Sequence, residues 1–575
     1  MSLSHEAIMG PAFHLQASAE GSLLAISAMG LITHQLFRRL ETYVISTHLL
    51  LLVIPPSVGF VLLKNSMPQL IAATVSCIVF LLSLIASVTA YRISPFHPLA
   101  RYPGPLACKL SKFWMAGVSL TGRQHTYIQS LHQTYGDVVR IGPNELSVRD
   151  PSVLNPMLGP GGLPKGPIMV GRILTATNLP LVGILDPDLH AERRKPWNRA
   201  FSAVALKEYE PLIANRVTQL VRVLSDQRGE IDVGRFFNYF SYDFMMDMAY
   251  GGGSELLRDG DTNNIWHIME AGWPAATALS HVPYLGPYGG RVPAIAATVD
   301  RLVSYCRQFT LKRIERGSER KDIFHYLNNE DQPEKPSPPI SQLLDDGILA
   351  IVAGSDTTSS ALTSLAFCLA THPAALRQVQ AEIDRFYPAG EDPCVATHYR
   401  DMHYLTAVIH ETLRLYPPVP SGMHRRVPHG THGVMLGPYF VPGGTSMFLH
   451  PYSLHRDPRY FAPFTDDFWP ERWLVAAGRI SLDEGLEGAP SGCTTVDSLT
   501  FNHNETAFVP FSHGPGNCVG KQLAMQEMRA VVCALLQKFD MRLRDGWDLR
   551  DYDRGYKDYF VTTRPEVPVT LQARF

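Results

Sequence analysis

The sequence predicts a mainly α-helical body with small β-sheets, preceded by N-terminal transmembrane helices. Three observations lead there. Apolar runs dominate the first ninety residues, and residues 69–91 contain no charge at all. Downstream, apolar residues recur at helical spacing over 341–371, 403–415 and 521–539. Strand-like pieces are short and lie in pairs about turn residues, 138–141 with 145–148 and 435–441 with 446–448.

Charged residues make up 18% of the 575, against about 25% in ordinary soluble domains, and the deficit lies largely at the N-terminus. With 51 Lys and Arg against 53 Asp and Glu, no bulk charge draws the chain to nucleic acid or a polyacidic partner. The eight cysteines are scattered without a C-x-x-C pair, so neither a disulfide framework nor a zinc site is implied, and a reducing compartment fits.

The uncharged run 69–91 has 23 residues, enough to cross a hydrocarbon core that needs about 20. Two shorter stretches precede it: 21–37, which contains His34 and Gln35, and 47–63, which Pro55-Pro56 interrupts. Each is a short span or an interfacial helix. Arg38-Arg39 separates the first two, and Arg92, Arg101, Lys109 and Lys112 follow the third. Three spans with these basic groups in the cytosol satisfy the positive-inside rule. No removable signal peptide is evident, because the start lacks Lys and Arg. The expected organisation is an anchor over 1–93, a stiff proline-rich hinge over 94–112 and a helical body over 113–575, within which 331–339 is a surface loop.

The run Phe511-Ser512-His513-Gly514-Pro515-Gly516-Asn517-Cys518-Val519-Gly520 is the most informative. Its glycines permit a tight turn and a close approach to a flat macrocycle, and the helix predicted from Lys521 sets a positive helix end beside the sulfur, lowering the thiol pKa. These features suit one thiolate bound to one haem iron; a lone free cysteine is otherwise most often simply buried. In the middle of the predicted helix 341–371 lies Ala353-Gly354-Ser355-Asp356-Thr357-Thr358, a cluster that disfavours a regular helix. An alcohol beside an acid is the arrangement that delivers protons to a reacting oxygen; otherwise the cluster is a distorted, solvated helix face. Glu411 and Arg414, at i and i+3, share a helix face and form a pair common in helices generally.

The decamer resembles the haem-binding loop of the cytochrome P450 family, F-x-x-G-x-R-x-C-x-G: Phe511, Gly514, Cys518 and Gly520 match, while Gly516 stands where the family has a propionate-binding arginine. The 353–358 cluster resembles the family's A/G-G-x-D/E-T-T motif, Glu411-Thr412-Leu413-Arg414 its E-x-x-R, and Pro470-Glu471-Arg472-Trp473 its P-E-R-W/F element, all in the family's order. The resemblance implies the P450 fold, haem b with Cys518 as axial ligand to iron, Ala353 and Gly354 leaving room for dioxygen, Thr357 delivering protons and Asp356 relaying them. It also implies a structural triad of Glu411, Arg414 and Arg472. His190, Arg194 and Arg425 are the implied propionate ligands, with Trp197 as packing; a solvated basic face is the alternative for these cations.

The expected activity is a membrane-anchored monooxygenase that uses O2 to oxidise a hydrophobic small molecule, with 160–186, 240–293 and 419–423 contacting it. Trp266, Trp273, Tyr284 and Tyr288 lie among these segments. Electrons come from NADPH through a separate cytochrome P450 reductase, with cytochrome b5 as a further donor, docking near Lys195, Arg199, Lys521 and Arg529. The expected setting is the endoplasmic reticulum membrane of a fungus, in secondary metabolite biosynthesis of a terpenoid, alkaloid or polyketide. A haem-thiolate isomerase or dehydratase and a non-catalytic haem sensor are the alternatives.

Overall fold

The computed structural model describes residues 18–172, 179–490 and 500–574. They form two compact units divided between Ala100 and Arg101.

In the first unit, helices Ala19–Arg39, Ile45–Leu63 and Gln69–Ile93 pack on one another. Small residues let their backbones approach: a Cβ on Gly30 would lie 2.1 Å from Ser83 Oγ, and one on Gly59 2.3 Å from Ser76 Oγ. Pro55-Pro56 does not interrupt the second helix. Serine hydroxyls take up backbone carbonyls there, Ser57 Oγ donating to Val53 O at 2.8 Å and Ser76 Oγ to Pro56 O at 2.7 Å. Ile45–Leu63 and Gln69–Ile93 are long and apolar enough to cross a membrane. Ala19–Arg39, which carries Glu20, His34 and Gln35, does not reach that level.

In the second unit, the helix Ile340–Thr371 is buried over most of its length and packs against Val233–Tyr250. Pro339 precedes it and Pro373 follows, each marking a boundary that proline imposes. The expected distortion at 353–358 does not break it: the Ser355 and Thr357 hydroxyls fold back onto the Ile351 and Ala353 carbonyls, both at 2.7 Å, keeping their polar groups inside the helix. His403–Leu415 and Lys521–Lys538 also pack on this helix.

A four-stranded sheet runs Val138–Gly142, Glu145–Val148, Ser446–Leu449, His424–Arg426. The pairing expected between 435–441 and 446–448 is corrected here. Gly437, at φ +56°, turns the chain within the first segment, so Val434–Leu436 pairs with Tyr439–Val441, and Ser446–Leu449 instead joins Glu145–Val148 in parallel. Near the C-terminus, Lys557–Tyr559 and Val561–Thr563 form a hairpin turning at Phe560, which is held at φ +80°.

Candidate active site

A cavity of about 370 Å³ lies where the long helix, the Cys518 loop and the start of Lys521–Lys538 meet. Gly514 allows the loop its course: φ is +70° and a Cβ would sit 2.0 Å from Leu158 O. Gly520 meets no such constraint, its Cβ falling 3.9 Å from the Cys518 sulfur. The Cys518 N–H donates to Phe511 O at 2.9 Å, closing the loop. The sulfur is accessible, but to the cavity, with protein packed around its other sides. Burial pushes the thiol pKa up, while the Gly520 and Lys521 amides, Arg194 and Lys521 oppose it. The helix end therefore acts in the expected direction but is outweighed by desolvation. A metal ion held by the sulfur would supply what the dipole does not, since a coordinating thiol is deprotonated outright.

On the long helix, Ala353, Gly354 and Thr357 line the cavity. Gly354 also serves packing: a Cβ there would lie 2.5 Å from Met245 Sδ on the neighbouring helix. Asp356 does not line the cavity. It is 1% exposed and paired with Arg564, Nη1 to Oδ1 at 3.2 Å. Burial pushes its pKa up; Arg564 and Trp273 oppose that. Arg564 is itself held by Asn238 Oδ1 at 2.7 Å and by Ser359 Oγ at 3.2 Å.

The cations converge as a group. Arg425 lines the cavity, its flexible guanidinium reaching to Gly516, where a Cβ would lie 2.9 Å from Nη2. Arg194 is turned onto the loop, Nη2 donating to Asn517 O at 2.9 Å, and neither it nor His190 is among the lining residues. Burial, then Lys165, Arg194 and Arg425, push the His190 pKa down to about 4, so the imidazole is neutral near pH 7. Trp197, read from sequence as packing, lines the cavity with its indole N–H buried and without an acceptor. Lys165 and Glu527 also line it and were not singled out. Glu527 lies on the helix Lys521–Lys538, where no motif marks it; burial pushes its pKa well up.

This donor set suits haem. A thiol opens onto a cavity that a cation cluster and a buried indole N–H flank, and the close turn at Gly514 leaves the loop without a side chain at its tightest point.

Glu411 is fully buried and accepts hydrogen bonds from Arg414 Nε and Nη2 at 2.9 and 2.8 Å, and from Arg472 Nε, Trp469 N and Trp473 Nε1, each at 3.0 Å. Arg414 continues to His455 O at 2.9 Å, and His455 Nε2 accepts from Val509 N at 3.0 Å. That chain of bonds leads from the triad to the entry of the Cys518 loop and makes His455 a scaffold residue that no motif had indicated.

Of the segments expected to contact substrate, Ile168, Met169, Val182, Met245, Val419 and Met423 line the cavity; 173–178 lie outside the described residues. Trp266, Trp273, Tyr284 and Tyr288 are not lining residues, Trp266 packing edge-on against Tyr242 instead. The hairpin tip supplies Phe560. Of the basic groups expected to receive a redox partner, Lys195 and Lys521 are exposed, whereas Arg199 is paired with Asp331 at 2.7 Å and Arg529 donates to Thr406 Oγ1 at 3.2 Å.

Residues 101–570 match the family model described as Cytochrome P450. A cytochrome P450 monooxygenase FCK2 of Fusarium pseudograminearum is 33% identical over 500 residues, covering 86% of this chain and 85% of that one. Cytochrome P450 67 of Uromyces fabae is 32% identical, covering 82% and 86%. The tryprostatin B 6-hydroxylase of Aspergillus fumigatus is 28% identical, covering 86% and 84%.

Proposed function

Because this chain belongs to the cytochrome P450 family and is an oxidoreductase of the monooxygenase type, we propose that it oxidises a hydrophobic small molecule of fungal secondary metabolism with O2 and NADPH-derived electrons. The observation that carries this reading is the Cys518 sulfur opening into the cavity that Ala353, Gly354 and Thr357 also line. Haem b, when bound to that sulfur, supplies the redox chemistry, and a thiolate behind the iron favours O–O cleavage.

The protein's own groups do the rest. Thr357 holds a proton at Oγ1, which rests on the Ala353 carbonyl at 2.7 Å and can swing toward the cavity by a χ1 rotation. Asp356, one residue back, is buried and clamped by Arg564, so it can relay protons only when that clamp loosens. Met169, Val182, Met245, Val419 and Phe560 exclude water and favour an apolar substrate. The expected substrate is a terpenoid, alkaloid or polyketide, and a relative named as a tryprostatin B 6-hydroxylase is in keeping with oxidation of a small molecule.

Electrons enter from a reductase, or from cytochrome b5, at a face bearing the exposed Lys195 and Lys521. With Ile45–Leu63 and Gln69–Ile93 as spans, Arg38-Arg39 and the body would both lie on the cytosolic side of the endoplasmic reticulum, and Ala19–Arg39 would be the interfacial helix or further span.

The reduced protein with carbon monoxide should show the red-shifted Soret band of sulfur ligation, and C518A should lose it. Retention of that band in C518A overturns the assignment. Metabolite profiling of a deletion strain then identifies the substrate; a change in central sterols instead of a specialised product overturns the pathway reading.

A further inference from the structure

We propose that Lys165 is a haem-carboxylate ligand of this protein, supplying beside Arg425 the charge that Gly516 omits. The proposal rests on the haem-thiolate reading above.

Lys165 is placed with precision. It forms an antiparallel bridge with Arg425, and the neighbouring Arg426 N–H donates to Pro164 O at 3.0 Å. Gly166 allows this approach, since a Cβ there would fall 1.9 Å from the His424 ring. Residues directly opposite in an antiparallel pair send their side chains to the same face, where like charges repel. Here both Lys165 and Arg425 line the cavity. His190 and Arg194 add to the same field, and among the described residues the charges that shift these four groups are cationic apart from Cys518, which acts on Arg194; Glu527, whose pKa burial raises, lines the same cavity.

Such a cluster is unfavourable by itself and favourable around a dianion, which the two carboxylates of haem provide. In agreement, burial and then the neighbouring arginines push the Lys165 pKa down to about 7, a penalty that a carboxylate would reverse.

The lysine also has donor capacity left. Its ammonium donates to Leu181 O at 2.9 Å and to Val182 O at 3.1 Å, leaving one of the three N–H groups of an ammonium. Val182 lines the cavity, so a carboxylate held by Lys165 ties the cofactor to that wall. Gly516 completes the logic. Position 516 brings no cation of its own to this group, whereas Lys165, opposite Arg425 across the bridge, does.

The test compares the full-length protein with K165M and K165R, each reconstituted with haem or with haem dimethyl ester, whose carboxylates are blocked. Haem loss is followed by transfer to apomyoglobin. Loss of a charge-assisted hydrogen bond predicts that K165M releases haem about tenfold faster while K165R stays within about threefold. With the dimethyl ester, the difference between K165M and the native protein should shrink to about twofold or less. The proposal is overturned if K165M retains haem as the native protein does, or if its penalty is the same with the ester, which would assign Lys165 to holding the Leu181 and Val182 carbonyls alone. The carbon monoxide spectrum of the native protein separates the two readings: its Soret position reports Cys518 and is independent of Lys165.

Discussion

Replacing Glu411 by glutamine tests whether the site rests on a buried charge cluster. Burial alone would push the Glu411 pKa up, but Arg414 and Arg472 outweigh it and hold the carboxyl at about 2 instead of 4.5, a difference worth about 3 kcal/mol. Glutamine keeps the shape, loses the charge and turns an NH2 toward donors that need acceptors. Two guanidinium groups with no exposed surface, Arg414 and Arg472, are then stranded, and breaking such a cluster costs about 3–5 kcal/mol.

The cluster is worth less to form than to break. Burial, and repulsion by Arg414, hold the Arg472 pKa down at about 10 even with Glu411 in place. The pH dependence has a defined sign. A carboxylate with a depressed folded pKa contributes stability that is complete above about pH 4.5 and is lost as pH falls toward 2. Denaturant titration of the full-length protein in detergent, with haem content measured in parallel, should show E411Q less stable by about 3–5 kcal/mol at pH 7 and lacking that acid-dependent component. A loss below about 1 kcal/mol, the range of an exposed pair, would refute the argument.

Three further outcomes follow from the same geometry. G514A places a Cβ against Leu158 O at φ +70°, a strain of about 1–3 kcal/mol; the loop should shift and the red-shifted Soret band be lost or reduced. T357V keeps the volume facing the cavity but removes the hydroxyl, so product formation per NADPH consumed should fall by roughly 100-fold while the carbon monoxide spectrum stays unchanged. R564M removes the ion pair from buried Asp356, whose pKa burial already raises. The variant should lose about 3–5 kcal/mol at pH 8 and recover part of it as pH falls and Asp356 takes up a proton, a recovery that D356N in the same background abolishes.

Local chemistry made much of this molecule legible. Proline boundaries and helical spacing bounded Ile340–Thr371 to within a residue, and His403–Leu415 matched its expected limits. Those signals lie within a few turns of the chain and need no distant partner. The adjacent strands Val138–Gly142 and Glu145–Val148 were legible for the same reason. The parallel partner of Glu145–Val148 was not, because Ser446–Leu449 lies some three hundred residues away and no turn joins them.

The sequence by itself determined that one cysteine, in a glycine-bearing turn ahead of a helix, stands apart from the other seven, and that a helix carrying an acid and an alcohol belongs with it. Only the tertiary structure decided which way those side chains act: Thr357 toward the cavity, Asp356 away from it and onto Arg564. It also brought Lys165 beside Arg425, Phe560 to the hairpin tip on the cavity wall, and His455 between the Glu411 cluster and the Cys518 loop. The reason is range. Propensity and periodicity act over a few residues, whereas burial, ion pairing and the spacing of like charges depend on which distant segments the packed core brings together.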